Sequence, residues 1–167
     1  NAFTLSTVDA NDFPSTRVLL LKEVSDDGFM FFTNYNSHKG QEMEVNPKVA
    51  LNFFWPSLER QVRVQGVVKK VSDVVSDSYF QSRPYKSQIG AWASEQSSSL
   101  DSRAILEERF HHFSKKYPQA VPRPQYWGGY IVKPQKIEFW QGRASRLHDR
   151  FTFTLHEREW IVDRLSP

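Results

Sequence analysis

The sequence has no cysteine, no long hydrophobic run and no block of lysines and arginines. Without cysteine, the chain has no disulfide scaffold, no thiolate nucleophile and no cysteine-ligated zinc site. Its apolar runs are far shorter than the roughly 20 residues that span a bilayer, and it shows no signal-peptide pattern. Without a basic block, its electrostatic footprint for nucleic-acid binding is weak. We therefore expect a cytoplasmic protein that binds neither membrane nor nucleic acid.

Motifs of several enzyme classes are missing as well. The sequence contains no phosphate-binding loop of the P-loop type, no Gly-x-Gly-x-x-Gly, no His-Glu-x-x-His and no internal repeat. Nucleotide hydrolysis, dinucleotide binding on a Rossmann fold and zinc proteolysis therefore have no support, and we predict no metal site. The chain begins at Asn1, without methionine and within a strand-like run, so we expect further sequence to precede it.

The composition is that of a globular protein with a mild positive charge. Apolar residues make up 39% of the 167 residues, aromatic residues make up 14%, and the net charge is +3. This length suffices for a sizeable core, so we predict one domain over residues 1–167. The positive excess suits anionic small molecules as well as it suits nucleic acid.

Alternating apolar and polar residues predict a mainly β chain with flanking helices. The predicted strands are Phe3–Val8, Thr16–Val24, Phe29–Thr33, Val49–Trp55, Arg60–Gly66, Tyr126–Val132, Lys136–Trp140, Phe151–Leu155 and Trp160–Val162. The predicted helices are Ser37–Val45, Ser72–Ser82, capped by Ser72 or Asp73, and a longer helix that ends at Tyr117 and is capped by Asp101 or Ser102. The last helix carries an apolar stripe, which we interpret as packing: Leu106, Phe110, Phe113 and Tyr117. The apolar run between Arg17 and Lys22 predicts that the second strand is buried, with a charge at each end. Pro134-Gln135 is interpreted as a turn between two strands. Regular strand spacing with short turns favours an antiparallel barrel or sandwich.

The segment Trp140–Arg150 is the strongest candidate for a functional site. It reads Trp-Gln-Gly-Arg-Ala-Ser-Arg-Leu-His-Asp-Arg and lies between two predicted strands. Arginine is suited to phosphate and carboxylate, and histidine exchanges protons near neutral pH. In an extended segment, Arg146 and His148 would point to the same side. A solvated, salt-bridged turn is the alternative interpretation.

Two further groups of residues suggest anion binding. His38 and Lys39 fall in the first turn of a predicted helix, where cations oppose the helix dipole unless an anion neutralises them. Simple exposure explains this pair equally well. Tyr79 and Arg83 are four residues apart at a helix end, with Ser87 in the loop that follows, and together they could clamp a phosphate.

The polar face of the strand Arg60–Gly66 is ambiguous. Gln61, Arg63 and Gln65 alternate with valines, so they share one face of the strand. Such a face either meets water or lines a polar pocket.

Several stretches together resemble one enzyme family, the pyridoxamine/pyridoxine 5′-phosphate oxidases. They are Arg17–Lys22, Arg60-Gln-Val, Tyr79–Gly90, Gln96-Ser-Ser and Glu138–Arg150, and the resemblance extends over the whole chain. Arg-Leu-His-Asp-Arg after Glu-Phe-Trp-Gln-Gly is its most specific part. The resemblance implies a flavin-binding split β-barrel of Greek-key type in a single domain that includes a C-terminal hairpin for dimerisation and substrate. It also implies a homodimer that binds FMN at its interface.

The resemblance assigns roles residue by residue. The implied FMN-binding residues are Arg17, Val18, Leu19, Leu20, Leu21, Lys22, Phe32, Thr33, His38, Lys39, Gln61, Gln96, Ser97, Trp140 and Arg150. The implied substrate-binding residues are Lys22, Tyr79, Arg83, Ser87, Arg146, Leu147 and His148. Of these, Arg146 and His148 hold the pyridine ring and are the catalytic pair. The chain departs from the family at His38, where the family usually has arginine.

The implied reaction is the oxidation of pyridoxamine or pyridoxine 5′-phosphate to pyridoxal 5′-phosphate in vitamin B6 salvage. A hydride passes from C4′ of the substrate to the flavin N5, and O2 reoxidises the flavin and gives H2O2. Two alternatives stay open. One is a related split-barrel flavin oxidase of another metabolite, such as a phenazine precursor. The other is a non-catalytic module that binds flavin or pyridoxal phosphate.

Overall fold

The computed structural model describes every residue from Asn1 to Pro167 and contains nine strands and four α-helices. The strands are β1 Ala2–Val8, β2 Pro14–Leu20, β3 Glu23–Ser25, β4 Gly28–Asn34, β5 Lys48–Trp55, β6 Arg60–Lys70, β7 Trp127–Gln141, β8 Asp149–His156 and β9 Glu159–Arg164. The helices are α1 His38–Val45, α2 Asp73–Ser82, α3 Tyr85–Ala93 and α4 Arg103–Lys116. Short 3₁₀ turns cover Pro56–Leu58 and Ala144–Arg146. The prediction of a mainly β chain with flanking helices is confirmed.

All nine strands belong to one sheet. Its order is β2-β1-β5-β6-β7-β4-β3, and β8 extends from β7 and pairs with β9. β1 is antiparallel to both β2 and β5, β5 to β6, and β8 to both β7 and β9. No helix in the structure is both long enough and apolar enough to cross a membrane.

Residue contacts divide the chain into two compact units. The first consists of Asn1–Phe31, Glu42–Lys69 and Ile131–Pro167, and the second of Phe32–Gln41 and Lys70–Tyr130. The assignment of the whole chain to one domain stays a prediction.

The core of the first unit lies on one face of β1, β5 and β6. Leu5 pairs with Leu51, and Leu51 pairs with Val64, and all three side chains are fully buried. Because side chains alternate along a strand, the neighbouring residues Asn52 and Arg63 lie on the opposite face. Each buried leucine contributes roughly 1.5–3 kcal/mol. Apolar burial on one face thus fixes which polar residues the other face presents.

The core of the second unit is mainly helical and aromatic. Phe80, Ile89, Val121 and Trp127 are buried together, and the side chains packed against them come from β4, α2, α3 and α4. The α4 residues among them are Phe110 and Phe113, with Tyr117 just beyond the helix. These three residues belong to the apolar stripe seen in the sequence, so its interpretation as packing is confirmed.

Two strand predictions were wrong. Tyr126–Val132 and Lys136–Trp140 are not separated by a turn, because β7 runs unbroken through Pro134. Proline fixes a φ angle that extended backbone tolerates and removes only one donor, so it does not have to end a strand. The predicted strand Thr16–Val24 is divided at Leu21 and Lys22, where the Lys22 N–H donates to the carbonyl of Met30 at 2.9 Å.

The same strand was also expected to be buried, and it is not. β2 pairs only with β1, so it forms an edge of the sheet. Val18 is 68% exposed and Leu20 is 49% exposed within the single chain. This edge therefore presents apolar side chains to whatever lies beyond the chain.

Candidate functional site

The predicted site residues lie in strands, in helices and in the turns that connect them. Of the residues predicted to bind FMN, those in strands are Arg17–Leu20 in β2, Phe32 and Thr33 in β4, Gln61 in β6, Trp140 in β7 and Arg150 in β8. Leu21 and Lys22 follow β2, His38 and Lys39 begin α1, and Gln96 and Ser97 lie in a turn after α3. Tyr79 lies in α2, Arg83 directly after it and Ser87 in α3, and Arg146, Leu147 and His148 lie between β7 and β8.

In the second unit, Ser37 organises the start of α1 around a buried lysine. The Ser37 Oγ donates to the carbonyl of Asn34 at 2.7 Å and accepts from the Gly40 N–H at 3.4 Å. It also accepts from the Lys39 Nζ at 3.0 Å, and the Lys39 side chain is buried. No acidic residue occupies the first helical turn. A buried ammonium beside the positive end of a helix favours an anionic ligand.

The turn after α3 contacts the start of α1 and the end of β4. The Ser97 Oγ accepts from the backbone N–H of His38 at 3.3 Å, and the Thr33 Oγ1 lies 3.5 Å from the Gln96 Oε1. Ser97 has a φ of 74°, a left-handed conformation that few non-glycine residues adopt. The structure thus brings together five residues predicted to bind FMN: Thr33, His38, Lys39, Gln96 and Ser97.

A stack of three aromatic rings supports the predicted phosphate clamp. Phe32 stacks on Tyr79 with ring centroids 3.9 Å apart, and on Trp127 with centroids 5.7 Å apart. The guanidinium of Arg83 lies 4.4 Å from the centroid of Trp127. Its Nη1 is buried and has no hydrogen-bond partner. Burial therefore lowers the pKa of Arg83, a shift that the neighbouring Tyr79 opposes.

A buried guanidinium nitrogen without a partner is unfavourable in the ligand-free chain. A phosphate oxygen would satisfy it, so the residues present fit the predicted phosphate group. Ser87, however, was predicted to lie in a loop, and it lies in the first turn of α3. Its N–H donates to the carbonyl of Pro84 at 2.8 Å, because α3 begins directly after the Arg83-Pro84 step that ends α2.

In the first unit, the segment between β7 and β8 is tightly turned and not extended. Ser145 and Arg146 have φ angles of 57° and 61°, and the Leu147 N–H donates to the carbonyl of Ala144 at 3.2 Å. The expectation that Arg146 and His148 share a side because the segment is extended was therefore wrong. Two successive left-handed residues other than glycine cost roughly 1–3 kcal/mol each. Such strain is typical of functional loops, and the Arg146 side chain is exposed.

His148 is held at the end of this turn. Its Nδ1 accepts from the backbone N–H of Arg143 at 3.1 Å, so the proton of the neutral imidazole is on Nε2. Its ring packs against Trp140 with centroids 4.7 Å apart. Next to it, the hydrogen bond from Arg143 lowers the pKa of the Asp149 carboxyl, and Arg164 adds to this effect. The turn thus combines a fixed imidazole with an exposed guanidinium.

Arg17 belongs to a polar network at the start of β2. Its Nη2 donates to the Ser15 Oγ at 2.7 Å and to the Glu42 Oε2 at 2.9 Å, and its Nη1 contacts Thr7. Burial raises the pKa of Glu42, but hydrogen bonds from Thr7, Ser15 and Arg17 lower it more, so its net pKa is lowered. Arg17 therefore has a carboxylate partner within the chain.

Glu138 is a residue of this region that sequence reasoning missed. It is a buried carboxylate on β7 that forms ion pairs with Arg150 and with Arg63. Burial raises its pKa, but hydrogen bonds from Arg150 and Arg63 lower it more, and its net pKa is lowered. The sequence did contain a signal, because an acidic residue in an otherwise apolar strand run requires a cationic partner.

The comparison with known proteins decides the family. Residues 1–117 match the family described as pyridoxamine 5′-phosphate oxidase, and residues 127–167 match the pyridoxine 5′-phosphate oxidase C-terminal dimerisation region. The chain belongs to this family. The prediction from the sequence is therefore confirmed, both for the family and for an oxidoreductase enzyme.

Relatives in the family align over nearly the whole chain. The pyridoxine/pyridoxamine 5′-phosphate oxidase of Ralstonia pickettii is 54% identical over 168 residues, which are 100% of this chain and 79% of the relative. The oxidase of Haemophilus ducreyi is 58% identical over 154 residues, which are 92% of this chain and 74% of the relative.

Solved structures confirm the split-barrel fold. PhzG from Burkholderia lata, in complex with tetrahydrophenazine-1-carboxylic acid, superposes with a TM-score of 0.95 at 26% identity, over 99% of this chain and 82% of its own. An FMN-binding protein of Nostoc punctiforme related to pyridoxamine 5′-phosphate oxidase superposes with a TM-score of 0.80 at 16% identity, over 99% of this chain and 88% of its own. The second likeness concerns the fold alone.

Proposed function

We propose that this chain binds FMN and oxidises pyridoxamine or pyridoxine 5′-phosphate to pyridoxal 5′-phosphate. Two facts support the proposal: membership of the family, and the buried, unpartnered Nη1 of Arg83. The Nη1 of Arg83 is the observation on this chain itself that carries the proposal. A cation in a partly apolar position needs an anion when the substrate is bound.

The substrate phosphate is assigned to Arg83, with Tyr79, Ser87 and Lys22 as further ligands. A phosphate ester is close to doubly charged at neutral pH, and arginine binds it with two parallel hydrogen bonds. The ring of Trp127 fixes one face of the guanidinium, so its nitrogens keep one plane. This arrangement restricts the substrate to phosphorylated vitamers.

FMN is assigned to the residues around Ser37 and the turn after α3 in the second unit, and to β2, Gln61, Trp140 and Arg150 in the first. Lys39, at the start of α1, and the Ser97 hydroxyl, which lies beside it, suit a phosphate. FMN bound by these residues would supply the redox chemistry, which is hydride acceptance from the substrate C4′ at the flavin N5 with O2 as the final oxidant, reduced to H2O2.

The pyridine ring is assigned to Arg146 and His148, with Leu147 between them. Arg146 has an exposed guanidinium that can orient the ring and stabilise negative charge on it. The Nε2–H of His148 is available to donate, because its Nδ1 is already an acceptor. The protein thus supplies orientation and charge.

We further propose a homodimer with FMN at the subunit interface, acting in the cytoplasm in vitamin B6 salvage. The match to a dimerisation region supports the homodimer. The exposed apolar residues of β2 and β9 agree with it.

The visible spectrum of the purified protein tests the reaction. We expect a flavin band that pyridoxine 5′-phosphate bleaches without oxygen and that returns in air, together with a new pyridoxal phosphate absorbance. The control is unphosphorylated pyridoxine at the same concentration, which should bleach the band far more slowly. A flavin band that neither phosphorylated vitamer bleaches would contradict the proposal.

A second candidate is oxidation of a phenazine precursor. It is favoured by the TM-score of 0.95 with PhzG. The same anaerobic experiment separates the two, because only this candidate predicts bleaching by a reduced phenazine carboxylic acid and none by a vitamer. A protein that binds FMN or pyridoxal phosphate and consumes no oxygen with either substrate would be a binding module.

A further inference from the structure

We propose that Glu138 is a positioning residue that orients Arg150 for FMN binding. This inference rests on the proposed function, in which Arg150 contacts FMN. Glu138 itself is assigned no contact with FMN or substrate, and its role is exerted through the arginine.

The sheet register places the two residues side by side. Arg150 on β8 pairs with Trp140 on β7, and Glu138 lies two residues before Trp140 on the same face. The Glu138 Oε1 accepts from the Arg150 Nε at 3.0 Å. The Arg150 Nη1 donates to the carbonyl of Ser166 near the C-terminus at 2.9 Å. Nε and Nη1 are thus engaged, and Nη2 remains to meet a ligand.

Two fixed hydrogen bonds determine the plane of the guanidinium. Arginine has a long side chain with many rotamers, and fixing it before binding removes an entropic cost from ligand binding. Glu138 is only 5% exposed, so its carboxylate is itself held in place by its neighbours. This is how residues behind a binding site commonly orient the ligands in front of them.

Glu138 also interacts with Arg63, and this second interaction provides a way to separate a positioning role from structural support. Its Oε2 forms an ion pair with Arg63, which joins β7 to β6. The side chain of Arg63 is 50% exposed and that of Arg150 is 26% exposed. Loss of the Arg63–Glu138 ion pair should disturb the pairing of β6 with β7 and leave the Arg150–Glu138 hydrogen bond in place.

Simple electrostatics predicts the opposite sign from positioning. Removing a carboxylate near a bound anion strengthens anion binding, because one repulsive charge is lost. Removing a positioning carboxylate weakens binding, because the arginine becomes free to leave its orientation. The sign of the change in FMN affinity therefore distinguishes the two roles.

The experiment is a double-mutant cycle on the FMN dissociation constant, measured by titrating the apoprotein with FMN and following flavin fluorescence. The variants are E138Q, R150A and their combination, and R63Q is the matched control. We expect E138Q to weaken FMN binding about tenfold. The combination should bind no more weakly than R150A alone, since Glu138 acts through Arg150. R63Q should stay within about threefold of the wild type.

Three results would overturn the inference: E138Q binding FMN as tightly as the wild type, effects of E138Q and R150A that add in full, or R150A with unchanged affinity. Thermal melting shows whether E138Q is folded, and E138D serves as a second variant, whose shorter carboxylate cannot reach both arginines. If neither Glu138 variant folds, Glu138 is structural and the inference is wrong. A wild type that binds FMN and fails to oxidise either vitamer would instead contradict the proposed function.

Discussion

At the scale of single residues, two features support the proposed chemistry, and the sequence predicted only part of them. The helical spacing of Tyr79 and Arg83 was sufficient to predict a phosphate clamp. The spacing gave no sign that Trp127, 44 positions after Arg83 in the printed sequence, would pack against the Arg83 guanidinium. Nor did it reveal that Glu138 holds Arg150. Such partners depend on contacts between distant strands, which a local pattern does not encode.

Arg83 gives the sharpest test at this scale. R83M keeps the apolar stem over Trp127 and removes the charge, so the Michaelis constant for pyridoxine 5′-phosphate should rise by roughly 10- to 100-fold. The melting temperature of the ligand-free protein should not fall, because the substitution removes a buried Nη1 that has no hydrogen-bond partner. Steady-state kinetics and thermal melting measure the two effects.

The control for R83M is R103M, which removes an exposed arginine from α4. It should leave the Michaelis constant unchanged. An unaltered constant in R83M would remove Arg83 from the clamp.

His38 gives a second test at the residue scale. Its backbone N–H donates to the Ser97 Oγ, and its side chain is exposed in the first turn of α1, next to Lys39, which is assigned to the FMN phosphate. Arginine stays charged and binds phosphate with two donors, so H38R should bind FMN about tenfold more tightly than the wild type. Fluorescence titration with FMN measures this. H112R, the same change at an exposed position of α4, is the matched control, and equal affinities in both variants would refute the role of His38.

At the scale of secondary structure elements, the sequence located α1, α2 and α4, missed α3 Tyr85–Ala93, and located the breaks between strands poorly. Ser72 caps α2 through a hydrogen bond from Val75, as the capping pattern predicts. Pro134 was taken as a turn and lies inside β7, since the neighbouring strands hold that backbone extended. The turn at Ser145 and Arg146 was also missed, because left-handed φ angles there are not favoured by the residue types. Loop conformations of this kind are imposed by the surrounding fold.

Glu42 offers a test of how elements are joined, because it connects α1 to β1 and β2. Its pKa is lowered in the folded state, so its stabilising effect is present above its unfolded pKa. That effect is lost as the pH falls through the lower folded value. E42Q should be less stable at pH 7 by about 1–3 kcal/mol. The difference from the wild type should shrink as the pH falls below the ordinary glutamate value of 4.5.

Urea unfolding at several pH values measures this effect. The matched control is E108Q, at an exposed position of α4, which should follow the wild type at each pH. A constant difference between E42Q and the wild type across the acid range would show that the Glu42 charge has no part in the network.

At the scale of the whole molecule, the family and the fold were predictable because the motifs are specific and extend from one end of the chain to the other. The surfaces that contact a partner were less predictable from the sequence. β2 was expected to be a buried strand, and its apolar residues are exposed within one chain. The two observations agree if a second subunit covers the strand, because edge strands with exposed apolar side chains are rare in monomers.

The C-terminal hairpin provides the corresponding test. Trp160 and Ile161 on β9 are 41% and 48% exposed within one chain and lie in the segment that matches a dimerisation region. A charge introduced there would be buried in a dimer interface and would remain solvated in a monomer. W160E/I161E should therefore elute as a monomer at micromolar concentration, as measured by size-exclusion chromatography with light scattering. It should also lose FMN, if the flavin is bound at the interface.

The control is V74E, which places the same charge on an exposed apolar residue of α2 outside that segment. It should remain dimeric and yellow. Its behaviour matters because it separates burial in an interface from a general effect of added charge. If the hairpin variant stays dimeric, β9 is not part of the interface. If it becomes monomeric and still binds FMN tightly, a single subunit holds the cofactor. In that case, a dimer interface that also binds flavin would not explain the exposed apolar residues of β2.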